Sequence, residues 1–381
     1  METRYSLLPR IPVTLNCGSV KGEFEGWRHA IGHGGINKYP LPKRVKEGLA
    51  GLKPRLVRTF IQEYFNIYPE HDRFDFSALD PYMESLAASG GKVVACIAIK
   101  PKVLYPEVDQ RVIMPNDVAE WQRVVKALVT RYSVEKKIVA YWEIANESDI
   151  GESGGCPYLT LTPDEYNAYY KITQEAVLEA FPKAKVGGPA LANPHSPLLE
   201  GLVQYCKETG LQLDFVSWHI YNDVPAAHVA HVTRIRALLE KYYPEDVPEM
   251  LVTEMSNNFP DASVEENAYD SMRPAAVAAS VFDMMDAKLD WSFYYHIWDQ
   301  VFVSKQFEPF YSDPDIMLTH WNKIPHRFGL FGVCGEVRPT YFFYKMLTMM
   351  GEKELETESG ADDLRVKAAV DENGTNSVML V

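Results

Sequence analysis

The 381-residue chain is poor in cysteine, and its cysteines follow no pattern. The five cysteines stand at positions 17, 96, 156, 206 and 334, without a CxxC pair or a regular spacing. This distribution argues against both a cysteine-based zinc site and a disulfide framework. Three of the cysteines lie in apolar runs, where we expect buried thiols.

Long apolar runs and positive charge are also missing. No run approaches the roughly 20 apolar residues that a membrane-spanning helix needs. The first residues, Met1–Pro9, lack the apolar core of a signal peptide, so we expect a cytoplasmic protein or a secreted one whose signal was removed. A formal net charge of −14 argues against nucleic acid or an anionic membrane as the partner. A neutral substrate is the simpler expectation, and these patterns say nothing about the oligomeric state.

Motifs for metals and cofactors are absent from the sequence as well. It contains no HxH or HExxH pattern for a metal, and no glycine-rich turn of the dinucleotide-binding type. We therefore expect neither a metal nor a cofactor. The aromatic content, in contrast, is high at 12%, with 22 tyrosines. Aromatic rings stack on the C–H faces of sugars, although packing of the core accounts equally well for most of them.

Short β-branched runs alternate with longer segments of helical periodicity, which predicts repeated strand–helix units. The predicted strands are Val13–Cys17, Leu56–Phe60, Val93–Ile99, Ile138–Ile144, Lys185–Gly188, Phe215–Ile220, Met250–Thr253 and Trp291–Ile297. The predicted helices are Pro42–Leu52, Ser77–Ser89, Ala119–Tyr132, Pro163–Phe181, Pro197–Glu208, Ala226–Tyr242, Met272–Lys288 and Tyr341–Met350.

Strict alternation of strand and helix requires a parallel sheet, and eight such units favour a closed (β/α)8 barrel, the TIM barrel, over a doubly wound sheet. We assign residues 1–355 to this barrel. Within residues 356–381, two further strands are joined by an Asn-Gly turn. A lone hairpin is only marginally stable, so this segment is expected to begin a β-sandwich accessory domain and to be incomplete.

Two glutamates stand where predicted strands end. Glu147 closes the run that begins at Ile138, and Glu254 closes the run that begins at Met250. These are the fourth and seventh strands, so both carboxyl groups are expected at the C-terminal mouth of the barrel. Buried ionisable residues usually have a partner or a function, and two carboxyl groups facing one pocket can cleave a glycosidic bond.

Structural roles remain open for both glutamates. Glu147 could form a loop salt bridge or cap a helix, and Glu254 could pair with Arg58 at the end of the second strand. In a catalytic site, an apolar pocket and a neighbouring carboxylate would raise the pKa of Glu147. An arginine inside a barrel needs a carboxylate partner, so Arg58 could also keep Glu254 ionised.

Further candidates lie on the loops and strand ends at the same mouth. His219 and Tyr221 share one face of the sixth strand, and His219 could be a metal ligand, a base or a donor to a sugar hydroxyl. Trp298 could form a platform beneath a sugar ring or could plug the barrel. His33, in a glycine-rich segment after the first strand, could shape a subsite or could belong to a simple turn.

Several segments of this chain resemble glycoside hydrolase family 39, the family of β-xylosidases and α-L-iduronidases. The residues that carry the resemblance are Tyr141–Glu147, Asp214–Tyr221, Leu251–Glu254, Phe328–Phe343 and Tyr68–Asp80. The similarity covers nearly the whole chain to about Gly351. It implies a retaining enzyme with Glu147 as the acid/base and Glu254 as the nucleophile. By the same resemblance Asn146 contacts the sugar 2-hydroxyl, and His219 and Tyr221 line the pocket for the sugar.

The chain departs from the family pattern around that pocket. Met255 stands where relatives usually have an aromatic residue, Ala145 where many have a bulkier one, and Thr59-Phe60 where a histidine is common. The identity of the sugar and its linkage therefore stay open.

Three functions are compatible with these patterns. The leading one is a retaining, exo-acting glycosidase for a neutral glycoside, β-xylosidase-like, with an endo-acting glycanase as its variant. The long loops at 151–162 and 302–324 favour a closed pocket and the exo mode. The second function is a non-catalytic carbohydrate-binding barrel. The third is a metal-dependent hydrolase that uses His219, His296 and an acidic residue.

Overall fold

The computed structural model describes residues 10–257, 266–316, 318, 322 and 328–381, with the backbone alone over 266–271. Part of the predicted long loop at 302–324 lies outside the described residues. In the described part of the chain, no helix combines the length and the apolar character needed to cross a membrane. All five cysteines are free, and three of them (Cys96, Cys156 and Cys206) are buried as expected.

Eight parallel strands close into a barrel, which confirms the predicted fold class. In chain order they are β2 (His29–His33), β3 (Leu56–Gln62), β4 (Lys92–Ala98), β5 (Val139–Ile144), β6 (Lys185–Leu191), β7 (Phe215–Tyr221), β8 (Glu249–Ser256) and β9 (Trp291–Tyr295). Each strand pairs with its neighbour in sequence, and β9 pairs with β2 to complete the ring. These strands are buried along almost their full length, as expected for a sheet enclosed by helices.

A helix follows each barrel strand. These helices are α1 (Lys43–Ala50), α2 (Leu79–Ala87), α3 (Val118–Val129), α4 (Pro163–Ala180), α5 (Pro197–Thr209), α6 (Pro225–Tyr242), α7 (Glu266–Asp286) and α8 (Pro339–Leu347). Local sequence sets several of their starts. Thr162 and Glu165 form a reciprocal capping box at α4, and the Asp117 side chain accepts a hydrogen bond from the backbone N–H of Glu120 at α3.

A four-stranded antiparallel sheet forms a separate accessory unit. Its strands are β1 (Val13–Glu23), β10 (Lys353–Ser359), β11 (Val366–Val370) and β12 (Asn376–Leu380), in that spatial order. The predicted hairpin with its Asn-Gly turn is present as β11 and β12, with Gly374 at φ 79°. The polar strand β10 has no apolar alternation over most of its length and was not predicted.

The prediction that Val13–Cys17 forms the first barrel strand is wrong. This segment belongs to β1, which pairs with β10 in the accessory sheet. The first barrel strand is β2, a short strand that the sequence shows only as His-Ala-Ile-Gly-His. Because β2 is the first barrel strand in place of Val13–Cys17, β5 and β8 are still the fourth and seventh barrel strands. Glu147 and Glu254 lie at the C-terminal ends of these two strands.

Candidate active site

Glu147 and Glu254 meet at the C-terminal mouth of the barrel. Glu254 lies within β8, and Glu147 follows β5 in a turn where Ala145 and Glu147 have φ values of 65° and 44°. The two residues are only 9% and 5% exposed. One carboxyl oxygen from each, together with a ring nitrogen of His219, lie within 4.8 Å of one another. The barrel therefore brings together the two carboxyl groups that stand over 100 residues apart in the sequence.

Arg58 lies beneath this pair and is completely buried. Its Nη1 donates to Oε1 of Glu254 at 2.7 Å, and its Nη2 donates to Oδ1 of Asn146 at 2.7 Å. Its Nε donates to Oε2 of Glu143 at 2.8 Å. A guanidinium carries five N–H donors in a fixed plane, so it can hold three acceptors in set directions, which the compact ammonium group of a lysine does not do. The predicted pairing of Arg58 with Glu254 is present, and the same guanidinium also orients Asn146.

Hydrogen-bond donors around Glu254 oppose the effect of its burial. Burial, with the nearby Glu147, raises the pKa of Glu254 above its ordinary value, and the Arg58 guanidinium and a hydrogen bond from the Tyr221 hydroxyl limit that rise. Tyr221 reaches Oε2 and Arg58 reaches Oε1, so both carboxyl oxygens hold a donor. Such an arrangement orients a carboxylate and preserves its negative charge.

The surroundings of Glu147 favour its protonated form. Burial and the nearby Asp149 carboxylate raise the pKa of Glu147 to about 8, against the opposing effect of Arg58. Oε1 of Glu147 lies 2.6 Å from Nδ1 of His219. Burial lowers the pKa of His219 to about 4, so this imidazole is neutral at pH 7. At neutral pH the site thus contains one carboxyl group suited to giving a proton.

A tight turn covers the Glu147 side chain. Residues 151–154 form a short 3-10 helix that ends at Gly155. A Cβ atom on Gly154 would lie 2.1 Å from Oε2 of Glu147, so only glycine allows this approach. Nδ2 of Asn146 donates to the carbonyl of Gly154 at 3.3 Å, and Nε2 of Gln62 donates to that of Gly155 at 2.7 Å.

A cavity of about 190 Å³ opens above the two glutamates. It is lined by Gly35, Phe60, Gln62, Asn146, Glu147, Ile150, Ser153, Gly154, Gly155, Ala192, Tyr221, Glu254 and Tyr295. Among the residues that the structure describes, the two glutamates are the charged members of this lining, which contains neither lysine nor arginine. The volume suits about one sugar ring.

Four of the six predicted sugar-binding residues lie outside this lining: Arg58 and His219, which contact the two glutamates, and His33 and Trp298. His33 is completely buried, and its ring lies between those of Tyr82, His296 and Trp298. Trp298 donates its Nε1 hydrogen to the carbonyl of Val333 at 3.2 Å and packs on His33. At the end of β9 the aromatic residue that lines the cavity is instead Tyr295. The positions of His33 and Trp298 favour the structural alternatives considered for them.

His219 does not share a possible metal site with His296. Within the described residues, the group of potential ligands around His219 consists of Glu147, His219 and Glu254. Nε2 of His296 lies 3.0 Å from Oδ1 of Asp299, which also contacts Arg338. The residue combination required by the metal-dependent hydrolase hypothesis is therefore not assembled.

Sequence reasoning missed several residues of this site. Glu143 is an acidic residue in the middle of an apolar strand, and that pattern alone could have identified it as the second partner of Arg58. Asp149 and Glu152 are ordinary loop carboxylates in the sequence, and only the fold shows that Asp149 is partly buried and Glu152 fully buried. Gln62 and Tyr295 sit at strand ends, the position from which barrel side chains reach the mouth.

Comparison with known proteins agrees with this architecture. Residues 55–379 match the family model described as glycosyl hydrolases family 39. A β-xylosidase from Geobacillus stearothermophilus is 26% identical over 191 residues, which are 47% of this chain and 37% of that protein. A β-xylosidase from Caldicellulosiruptor saccharolyticus is 22% identical over 311 residues, 75% of this chain and 58% of that protein. The chain thus spans less than two thirds of the length of either relative.

Solved structures share the fold at low identity. A glucosidase from Croceicoccus marinus superposes with a TM-score of 0.74 at 21% identity, covering 98% of this chain and 78% of that one. A monomeric β-xylosidase from Caulobacter crescentus CB15 gives a TM-score of 0.73 at 19% identity, covering 94% and 75%. The family match runs from the second barrel strand into the last strand of the accessory sheet, and on that ground the chain belongs to glycosyl hydrolase family 39.

Proposed function

We propose that this protein is a retaining, exo-acting glycoside hydrolase for a neutral sugar, most simply a β-xyloside. The observation that carries the proposal is the pair of buried carboxyl groups with oxygens within 4.8 Å, one held by Arg58 and Tyr221 and the other by His219. Retaining enzymes hold their two carboxyl groups about 5–5.5 Å apart, and inverting enzymes about 6.5–9.5 Å. The short separation supports the retaining mechanism.

In the first step Glu254 acts as the nucleophile. Its carboxylate oxygen forms a bond to the anomeric carbon while the bond from that carbon to the leaving oxygen breaks. Glu147 gives its proton to the leaving oxygen, and the aglycone departs as an alcohol. Arg58 and Tyr221 orient Glu254 for this attack, and the pKa of about 8 keeps Glu147 protonated at neutral pH.

In the second step Glu147 acts as the base. Its carboxylate takes a proton from water, and the water oxygen bonds to the anomeric carbon as the ester bond to Glu254 breaks. The sugar leaves with its original anomeric configuration, and both glutamates return to their starting protonation states. Neutral His219 lies against Glu147 in both steps and can hold its carboxyl group in place.

The lining of the cavity supports a neutral sugar. In the described part of the lining, no lysine or arginine is available to pair with the carboxylate that a uronic acid would bring next to Glu147 and Glu254. Two relatives are named β-xylosidases, which makes a β-xyloside the first substrate to try. The small cavity supports removal of one terminal sugar.

A panel of aryl glycosides tests the proposal. Wild-type protein is assayed with the β-xyloside, α-L-arabinoside, β-glucoside, β-galactoside and β-glucuronide, beside Glu254→Gln and Glu147→Gln. We expect the xyloside to be cleaved fastest and the uronide not at all. NMR of the first sugar released should show the anomer of the substrate. Release of the opposite anomer, or undiminished cleavage by Glu254→Gln, would refute the assigned mechanism.

The size of the first products separates the exo mode from the endo mode. With xylotetraose as the substrate, exo action releases xylose and xylotriose first, whereas endo action releases xylobiose. A protein that binds xylo-oligosaccharides but cleaves none of them would instead be a carbohydrate-binding barrel.

A further inference from the structure

Glu152 is a buried acidic residue outside the catalytic pair. It lies in the 3-10 turn 151–154 and is 2% exposed. Its Oε1 accepts a hydrogen bond from the backbone N–H of Ser312 at 2.8 Å. Its Oε2 accepts from the Ser312 hydroxyl at 2.7 Å and from the backbone N–H of Asp313 at 3.2 Å. One side chain therefore joins the loop after β5 to the loop after β9.

The loop that supplies these donors is held at several other points. Nε2 of Gln300 donates to Oδ1 of Asn37 at 3.0 Å, beside the loop after β2. Phe307 packs edge-on against Tyr64, just after β3, with ring centroids 5.6 Å apart. Residues 300–313 thus form a strap across three loops of the barrel mouth. Because the strap is fixed elsewhere, its bonds to Glu152 can restrain the turn.

The turn in question is the one that covers Glu147. Gly154 approaches Oε2 of Glu147 so closely that a Cβ atom would lie at 2.1 Å. Ser153, Gly154 and Gly155 also line the cavity. Displacement of this turn would admit water to the Glu147 carboxyl group from that side, without removing any group that touches the substrate's reacting atoms.

We propose that Glu152 is a positioning residue: by bonding to Ser312 and Asp313 it holds the 151–155 turn over Glu147 and keeps that carboxyl group shielded from water. This inference rests on the proposed function of Glu147 as the acid/base. Glu152 itself lines no part of the cavity. It acts on the reaction through the environment that it creates for Glu147.

Burial is the main cause of the raised pKa of Glu147, so loss of the turn should lower that pKa. The other ionisable groups that act on Glu147 stay in place in a Glu152 variant. They are Asp149 from its own loop, Arg58 from β3, His219 and Tyr221 from β7, Glu254 from β8 and Cys156. Around Glu152 itself the charged neighbours are Glu63 and Lys100.

The test compares Glu152→Ala with wild type on two aryl xylosides across a pH range. The alkaline limb of the pH profile, where kcat/KM falls as the pH rises, should move to lower pH by on the order of one unit. Phenyl xyloside, whose leaving group needs the proton, should lose about tenfold in kcat/KM at about pH 9, where ionisation of the acid limits the rate. Dinitrophenyl xyloside, whose leaving group needs little protonation, should lose less than about threefold.

Ser312→Ala provides a milder variant in case Glu152→Ala folds poorly. It removes one of the three donors and leaves the two backbone N–H groups. Its alkaline limb should fall between those of wild type and Glu152→Ala, and the double variant should match Glu152→Ala. Asp315→Ala, an exposed carboxylate two residues beyond the strap, is the matched control and should behave as wild type.

A direct titration separates this inference from the proposed function. Proteins labelled with carboxyl-¹³C glutamate are titrated by NMR, with Glu147→Gln used to assign the Glu147 signal. A lower midpoint in Glu152→Ala or Ser312→Ala supports the inference even if no glycoside tested is cleaved. An unchanged midpoint, or equal losses on both xylosides, would overturn it, whereas failure of wild type to cleave any glycoside would count against the proposed function alone.

Discussion

The Asp149 carboxylate lies close enough to Glu147, two residues away in the same loop, to raise the pKa of its carboxyl group. The Asp149 carboxylate accepts hydrogen bonds from the backbone N–H groups of Ala192 at 3.1 Å and Asn193 at 2.8 Å. These bonds tie the loop after β5 to the loop after β6, and Ala192 lines the cavity. The negative charge fixed in this way is, after burial, the second cause of the raised pKa of Glu147.

Asp149→Asn should therefore move the alkaline limb of activity to lower pH. A general acid with a pKa of about 8 loses its proton, and with it the first step, as the pH rises through that value. Removing a like charge lowers this pKa, so activity should be lost earlier on the alkaline side. The measurement is kcat/KM against pH with an aryl xyloside. Asp164→Asn, at the exposed start of α4, is the control and should leave the profile in place.

The acidic limb of the pH profile, where activity falls as the solution is acidified, should shift when Tyr221 is substituted. The Tyr221 hydroxyl donates to Oε2 of Glu254 and acts to lower the pKa of that carboxyl group. Tyr221→Phe removes this donor, so the pKa of Glu254 should rise and activity should disappear at a higher pH as the solution is acidified. The same pH series measures this effect, with the exposed Tyr39→Phe as its comparison. An acidic limb that stays where it is would show that the hydroxyl does not tune Glu254.

Arg58 should matter for stability as well as for activity. Arg58→Met leaves Glu143 and Glu254 buried next to each other without their shared cation. Breaking a buried ion pair from one side costs about 3–5 kcal/mol, so the free energy of unfolding in urea should fall by about that amount. Lys241→Met, which removes an exposed partner of Glu200, should change it little. Equal effects of the two substitutions would contradict the assigned role of the buried network.

Gly154→Ala tests the close approach of the 151–155 turn to Glu147 by adding a side-chain atom to the turn itself. The added methyl group would lie 2.1 Å from Oε2 of Glu147, so the turn or the carboxyl group must move. We expect kcat to fall by at least about tenfold, because misplacing a catalytic group by 1 Å can cost on the order of a hundredfold. At Gly18 the nearest atom to an added Cβ is 3.6 Å away, which makes Gly18→Ala the control. Full activity of Gly154→Ala would mean that the approach seen here is not needed.

The sequence predicts seven of the eight barrel strands. It also predicts that the two glutamates belong to the fourth and seventh of them. Buried parallel strands form continuous apolar runs, and such runs are visible locally. The first strand was misassigned because Val13–Glu23 alternates like a strand and is one, but in another sheet. Its partner, Lys353–Ser359, comes so much later in the chain that no local pattern connects the two.

The roles of the site residues were harder to predict than the strands, because these roles depend on contacts between residues far apart in the sequence. Arg58 and Glu254 were identified from their places at predicted strand ends and Asn146 from the family resemblance, and the three side chains do meet. Trp298 was proposed because it ends the aromatic run of the last predicted strand. Tyr295 lines the cavity instead, and which aromatic residue of this run does so depends on the backbone path after β9. The surroundings of Glu147 and Glu254 are formed by side chains from several separate strands, so no local sequence pattern predicts them.

The pairing of β1 with β10 also has a consequence for synthesis of the chain. Lys353, the partner of Glu23, is added 330 residues after it. At about 5–20 residues per second, the ribosome leaves β1 without its neighbour for roughly 15 to 70 s. All eight barrel strands are synthesised before β10. The barrel therefore has its full set of strands while β1 still has no strand to pair with. The accessory sheet is therefore the last part of the described molecule that can be completed.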